Sequence, residues 1–237
     1  MIDIVSAKKV YAEQIEAFNW FIDGCFSSLP NMDSSLVRFG GGTALAIYYF
    51  RHRRSFDIDL FVTDPQVMSY LSPKLWIDDS KYFKTSEYID QPNHIRVLAK
   101  NGIKIDILVS GDFIDKPYID ESKTLFAQTI FVESIEDILA KKIRYRRNDN
   151  KTRDIIDLGV AITKNAGTLK ELLAKGAVTV NDIVELRDSL VLLDIAEYGD
   201  EIYIVEPFGE YLEAAIKAPD MIIYMCDKSL EEIPYTA

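Results

Sequence analysis

Two aspartates, Asp57 and Asp59, stand two residues apart in the stretch SFDIDLF (55–61), with Phe56, Ile58 and Leu60 in the alternate positions. In a β-strand that spacing sends both carboxylates to one face, with Cα atoms about 6.5 Å apart, and the apolar side chains to the other. A third carboxylate, Asp106, lies in IKIDIL (103–108), again between isoleucines. If the two strands are neighbours, three negative charges converge. Such a group repels itself unless a cation neutralises it. Mg²⁺ is the natural choice, because it prefers oxygen ligands and bridges protein carboxylates to phosphates. Two such ions can be held about 3.5–4 Å apart. Asp57, Asp59 and Asp106 are therefore the candidate metal ligands and catalytic residues.

Ahead of the first pair runs RFGGGTALA (38–46). Gly41 and Gly42 let the backbone approach a ligand closely, and a helix starting behind them offers free N–H groups to a phosphate. Thr43 is positioned to cap that helix, and Thr43 or Ser55 adds a hydroxyl for the phosphate tail. No Lys-Ser or Lys-Thr follows the glycines, so this is not a P-loop. Downstream, residues 141–154 hold seven basic and two acidic side chains. Lys142 and Arg146 lie four apart and share a helix face. Arg153 and Asp154 open the next helix, and Asp157 follows one turn later. Lys142, Arg146 and Arg153 are candidates to grip a triphosphate, with Lys142 also offsetting charge in a transition state. Asp154 and Asp157 would orient those cations, and Asp157 joins the candidate catalytic set. The competing reading of this run alone is a solvated helix laced with surface ion pairs. His94 has no partner pattern around it and reads as structural. His52, inside the RHRR run (51–54), is a weaker phosphate candidate.

The elements that must carry these residues follow from periodicity. Apolar spacing predicts a helix over 11–26, a strand over 36–39, a glycine turn, a helix over 44–51 and a strand over 56–62. Residues 76–90 read as loop with a short helix. Strands at 94–99 and 103–109 flank Asn101-Gly102, a strong hairpin turn. A strand at 129–132 precedes helices at 135–147, 152–163 and 182–196, then a short strand at 203–205 and a helix at 206–218 with Pro207 near its start. The plan is α+β: a mixed sheet flanked by helices, followed by a mainly helical half. The division expected is 1–128 and 129–237, the second part completing the active-site cleft.

With 237 residues and 48% apolar content, the chain can bury a sizeable core. Its net charge of -11, from 27 basic and 38 acidic residues, disfavours nonspecific binding to nucleic acid or anionic membrane. The imbalance concentrates in residues 181–237, with 14 acidic and three basic side chains. Cys25 and Cys226 are isolated among apolar residues, which predicts buried free thiols and a reducing cytoplasm. No secretory signal pattern opens the chain, and no apolar run approaches the ~20 residues that span a bilayer.

FGGGTALA, SFDIDLF and IKIDIL together resemble the core of DNA polymerase beta-like nucleotidyltransferases: a glycine pair, a helix, an Asp-x-Asp strand and a later single Asp. LAKKIRYRRNDNKTRDIIDL resembles the AbiEii/AbiGii family of toxin-like nucleotidyltransferases, with Lys142 on one helix and Arg153, Asp154 and Asp157 in the Arg-Asp-x-x-Asp-Leu stretch on the next. The resemblance covers roughly residues 36–160. It implies a nucleotidyltransferase-like fold and a Mg²⁺-dependent enzyme moving a nucleoside monophosphate from an NTP to a hydroxyl. It further implies a toxin of a type IV toxin–antitoxin or abortive-infection system, the tRNA 3′ end or another RNA as acceptor, and a cognate antitoxin as partner. A monomer is favoured. Two alternatives stay open: a protein or small-molecule hydroxyl (an aminoglycoside, for example) as acceptor, and a catalytically inactive nucleotide-binding module.

Overall fold

The computed structural model describes residues 4–114 and 116–231. They divide into two compact units. The first comprises the described residues up to 49, residues 55–112 and residues 116–134; the second comprises 50–54, 113–114 and 135–231.

The first unit is built on a seven-stranded sheet. Helices α1 (Ile4–Val10) and α2 (Ala12–Cys25) precede strand β1 (Val37–Gly40), and a helix, α3, starts at Gly41–Ala44. Strand β2 (Ile58–Val62) and the short α4 (Met68–Leu71) come next, then β3 (Phe83–Gln91), β4 (His94–Ala99), β5 (Lys104–Val109), β6 (Tyr118–Asp120) and β7 (Ile130–Val132). Their order across the sheet is β3-β4-β5-β2-β1-β7-β6. The Asp-bearing strands β2 and β5 are parallel neighbours, and β1 runs antiparallel to β2.

Period-two alternation divides the sheet into two chemically different faces. Phe39, Ile58, Leu60, Ile95, Val97, Ile105, Ile107 and Val132 are all buried on one of them. Helix α2 covers that face, its Phe18 ring 5.1 Å from Phe39. Each such side chain contributes about 1.5–3 kcal/mol by leaving water, so the apolar face fixes the register that sends the aspartates to the other side.

Local differences from the sequence expectation have physical causes. Residues 76–90, expected as loop with a short helix, end instead in the edge strand β3, paired antiparallel to β4. Its ladder is irregular between Phe83 and Tyr88, and the consecutive residues Thr85, Ser86 and Glu87 are all exposed, so alternation is weak. Thr43, expected to cap α3, sits inside it; the N-cap position belongs to Gly40, with no side-chain cap bond. The helix then widens into a π-type turn over Leu45–Phe50.

The second unit is helical: α5 (Ile135–Arg146), α6 (Thr152–Lys164), α7 (Thr168–Ala174), α8 (Val180–Val191), α9 (Ile195–Val205) and α10 (Leu212–Glu231). Helices α6 and α10 touch closely at Gly159, where a Cβ would lie 2.4 Å from the Ala218 Cβ. Several expectations fail here. The helix expected over 182–196 stops at Val191 and α9 starts anew at Ile195 behind Asp194, and the last helix starts at Leu212 rather than 206. Residues 203–205 end a helix rather than form a strand, because Asp194 caps α9 by accepting from the Ala196 and Glu197 amides. The last helix does not stop at 218 but continues through Pro219. Proline removes the hydrogen bond to the carbonyl four residues back; here that carbonyl, Ala215, accepts instead from Tyr198 Oη at 2.6 Å. Both cysteines are buried free thiols. No described helix is long and apolar enough to cross a membrane.

Candidate active site

Asp57 enters β2 and Asp59 lies within it; Asp59 stands in register with Asp106 on β5 and with Gly40 on β1. All three carboxylates therefore leave the sheet on its polar face. Gly41 presses against this group. Its φ is +67°, and a Cβ there would sit 2.0 Å from Asp59 Oδ2 and 2.7 Å from Asp59 Cβ. Glycine is required twice over, for the left-handed backbone and for the space.

Thr43 and Ser55 turn inward. Thr43 Oγ1 donates to the Asp57 carbonyl and lies 2.7 Å from Ser55 Oγ, whose hydroxyl can donate to it in turn. Gln14 Nε2 donates to the Ser55 carbonyl at 2.7 Å. These contacts tie down the chain as it enters β2 and so position Asp57.

Cations of the same sheet face accompany the carboxylates. Lys104 Nζ lies 3.3 Å from Asp57 Oδ1. Asp106 accepts from Arg96 Nε at 2.7 Å and Nη2 at 2.9 Å, and contacts His94 Nε2 at 2.7 Å. Burial pushes the Asp106 carboxyl up, but Arg96 and His94 outweigh it and hold it below the usual range. Arg96 is held protonated mainly by its hydrogen bonds to Asp106, with added attraction from Asp57 and Asp59.

In the helical unit, Asp157 is fully buried and held by His52 Nε2 at 2.5 Å, Arg53 Nε at 2.6 Å and Lys142 Nζ at 3.0 Å. Lys142 also pairs with Asp154, which Arg146 reaches at 3.3 Å. Burial raises the Asp157 carboxyl, yet Arg53, Lys142 and His52 keep it well below its ordinary value. Asp154 is lowered in the same way by Lys142 and Arg146 against its own burial. Arg153 is exposed in the first turn of α6, where it lines a cleft of about 600 Å³ with Lys151, Thr152 and Glu201.

The family model described as nucleotidyl transferase AbiEii toxin, type IV TA system, matches residues 28–202. The chain belongs to the AbiEii nucleotidyltransferase toxin family. The match takes in both the carboxylate strands and the Arg-Asp-x-x-Asp-Leu stretch of this AbiEii protein. Among solved structures it is similar to MenT4, a nucleotidyltransferase toxin from Mycobacterium tuberculosis H37Rv, at 13% identity and a TM-score of 0.50, covering 99% of this chain and 91% of that one. It is also similar to JHP933 from Helicobacter pylori, at 16% identity and a TM-score of 0.47, covering 96% and 94%. The MenT4 likeness shows the α+β nucleotidyltransferase fold. No curated protein matches.

NTP is the substrate class that goes with the AbiEii family. As a metal site the three carboxylates are unequal. Among the described residues no three His, Cys, Asp or Glu side chains gather around one point. Asp57 and Asp59 do fit a hard divalent cation: two oxygen donors on one strand face, the set Mg²⁺ commonly takes alongside substrate phosphates. Asp106 is committed to Arg96 and His94, so a second ion there requires those side chains to release it. His94, Arg96, Lys104 and Arg53 were not among the residues singled out for chemistry. Counting outward from a two-residue Asn101-Gly102 turn would put Val97 across from Asp106; the loop is the three residues 100–102, closed by the Ala99 amide donating to the Ile103 carbonyl, and this brings Arg96 opposite Asp106.

Proposed function

We propose that this AbiEii protein transfers a nucleoside monophosphate from an NTP to a hydroxyl acceptor, the hydroxyl oxygen bonding the α-phosphorus as the α–β anhydride breaks and pyrophosphate and the hydroxyl proton leave, with Asp57 and Asp59 as the residues that would hold Mg²⁺. The observation that carries this reading is the placement of Asp57, Asp59 and Asp106 on one face of adjoining strands, with Gly41 pressed on Asp59. Asp57 and Asp59 would hold the Mg²⁺, which would supply neutralisation of the phosphate charge. Gly41 and Gly42 give the phosphate tail access to backbone amides. Thr43 and Ser55 fix the Asp57 backbone. Asp106 holds Arg96 at the carboxylate face, where its guanidinium offsets charge developing on the phosphates. For the helical unit we assign Arg153 a phosphate contact and Lys142 a supporting role set by Asp154 and Asp157.

We assign the acceptor hydroxyl to an RNA end, the tRNA 3′ terminus foremost, supported by the basic run over 141–154. A cognate antitoxin and a cytoplasmic place of action accompany this reading. The test is direct. The full chain is incubated with each labelled NTP, Mg²⁺ and total tRNA, and label on the RNA is measured. Asp57→Ala and Asp59→Ala should stay folded and lose transfer by at least 10³-fold, as expected when a metal ligand is removed. Wild-type turnover by either variant, or full activity in excess chelator, refutes the metal roles. Label appearing in a protein or small-molecule fraction, with none in RNA, refutes the acceptor.

A further inference from the structure

A second cavity in the first unit, about 320 Å³, is lined by Tyr48, Tyr49, Tyr118, Asp120, Ser122 and Thr124, with Ile4 and Leu125. It belongs to the other side of the sheet from Asp57 and Asp59. Tyr118 and Asp120 pair with Val132 and Ile130 of β7. Val132 in turn pairs with Phe39, and Phe39 with Leu60. That row is the apolar face, whereas Asp59 points the opposite way.

Asp120 is only 5% exposed. Its oxygens accept from Tyr48 Oη at 2.7 Å, from the Ser122 amide at 3.0 Å and from Ser122 Oγ at 2.6 Å. Among the described residues no Lys, Arg or His side chain forms an ion pair with it. A buried carboxylate with neutral donors alone is an uncompensated charge, and burial of that kind is costly until a cation joins it. Around this charge stand aromatic faces. The Tyr48 and Tyr118 rings are 5.8 Å apart at 58°, and Tyr118 is half exposed at the mouth. Aromatic faces attract cations through the ring quadrupole. The volume suits a small molecule.

We infer that this pocket binds a small organic cation, an ammonium or guanidinium on a short chain, with Asp120 as counter-ion and Tyr48 and Tyr118 as walls. The site is separate from the nucleotidyl-transfer face and does not depend on it.

Agmatine, which carries both head groups, is the probe, and 1-pentanol is the neutral comparison. Each is titrated into the full chain by calorimetry, with tyrosine fluorescence as a second readout. Agmatine should bind saturably at one site per chain, and pentanol should not. Asp120→Asn should weaken agmatine at least tenfold, and so should Tyr118→Ala, a change at an exposed position that keeps the test open if the first variant misfolds. Asp57→Ala should leave agmatine binding unchanged, which separates this site from the metal-binding face. Equal binding of pentanol, unchanged binding in both pocket variants, or loss in Asp57→Ala alone overturns the inference.

Discussion

Replacing Gly41 by alanine is the sharpest test of how the carboxylate face is built. At φ +67° an L-residue costs about 1–2 kcal/mol. The new methyl would stand 2.0 Å from Asp59 Oδ2 and 2.7 Å from Asp59 Cβ and Cγ. Rotating the carboxylate relieves the first contact and leaves the Cβ contact, so the start of α3 or β2 has to shift. Overpacking of that kind adds about 1–3 kcal/mol. The total, about 2–5 kcal/mol, lowers Tm by roughly 5–15 °C in a chain of this size. Displacing Asp59 by the ångström or so needed should cost on the order of 10²-fold in transfer rate. Gly102→Ala supplies the control: its φ is +90° and nothing lies within 4 Å of the added methyl. It should show the strain, about 1–2 kcal/mol, and keep full activity. The assays are thermal unfolding and labelled-NTP transfer on both variants. If Gly41→Ala loses no more activity than Gly102→Ala, the close approach of Gly41 to Asp59 has no part in catalysis and the reasoning fails.

The buried cluster around Asp157 predicts acid sensitivity. Asp157 titrates well below its ordinary value in the folded chain, so its contribution is complete above about pH 4, the unfolded value, and is lost as pH falls towards the folded one. His52, lowered chiefly by burial, adds in the same direction: its stabilisation is present above about pH 6.5 and declines below. Asp157→Asn should cost about 3–5 kcal/mol at pH 7, because it leaves buried cations uncompensated. Its stability should also fall less steeply than wild type below pH 4 in denaturant titrations; an equal slope there means another carboxylate governs acid unfolding. Tyr198→Phe should cost about 1–3 kcal/mol by leaving the Ala215 carbonyl without its donor at the Pro219 break. Pro219→Ala should shrink that cost, since the backbone then supplies the bond, and urea midpoints of the two single variants and the double variant measure the coupling.

What could be read from the residues alone was whatever short-range physics determines. Asp57 and Asp59 declared themselves because their neighbours Ile58 and Leu60 are strongly apolar and the alternation has no other solution. Asn101-Gly102 marked the β4–β5 hairpin, but its loop takes in Lys100 as well, so the register is one residue from that of a two-residue turn. Strands β3 and β6 escaped notice because they are sheet edges, with polar residues on both sides in β3 and only three residues in β6. The run through Pro219 depends on a hydroxyl 17 residues from the carbonyl it serves, and no local propensity encodes that. The same division runs through the functional groups. Three carboxylates and the basic run were visible as types and spacings, whereas their counter-ions are tertiary facts. Arg53 and His52 meet Asp157 across more than 100 residues of chain. Arg96 lies ten residues from Asp106 and meets it only because the hairpin folds. Spacing alone counts charges and chooses a metal to balance them; the fold pairs Asp106 with Arg96 and brings Lys104 to Asp57. In the proposed transfer Arg96 would serve catalysis as well as stability, since a guanidinium fixed on the carboxylate face presents positive charge where a triphosphate would bring negative. Under the proposed function Asp57 and Asp59 would hold the cation while Arg96, anchored by Asp106, would face the anion, a division of labour that three bare aspartates in a sequence do not reveal.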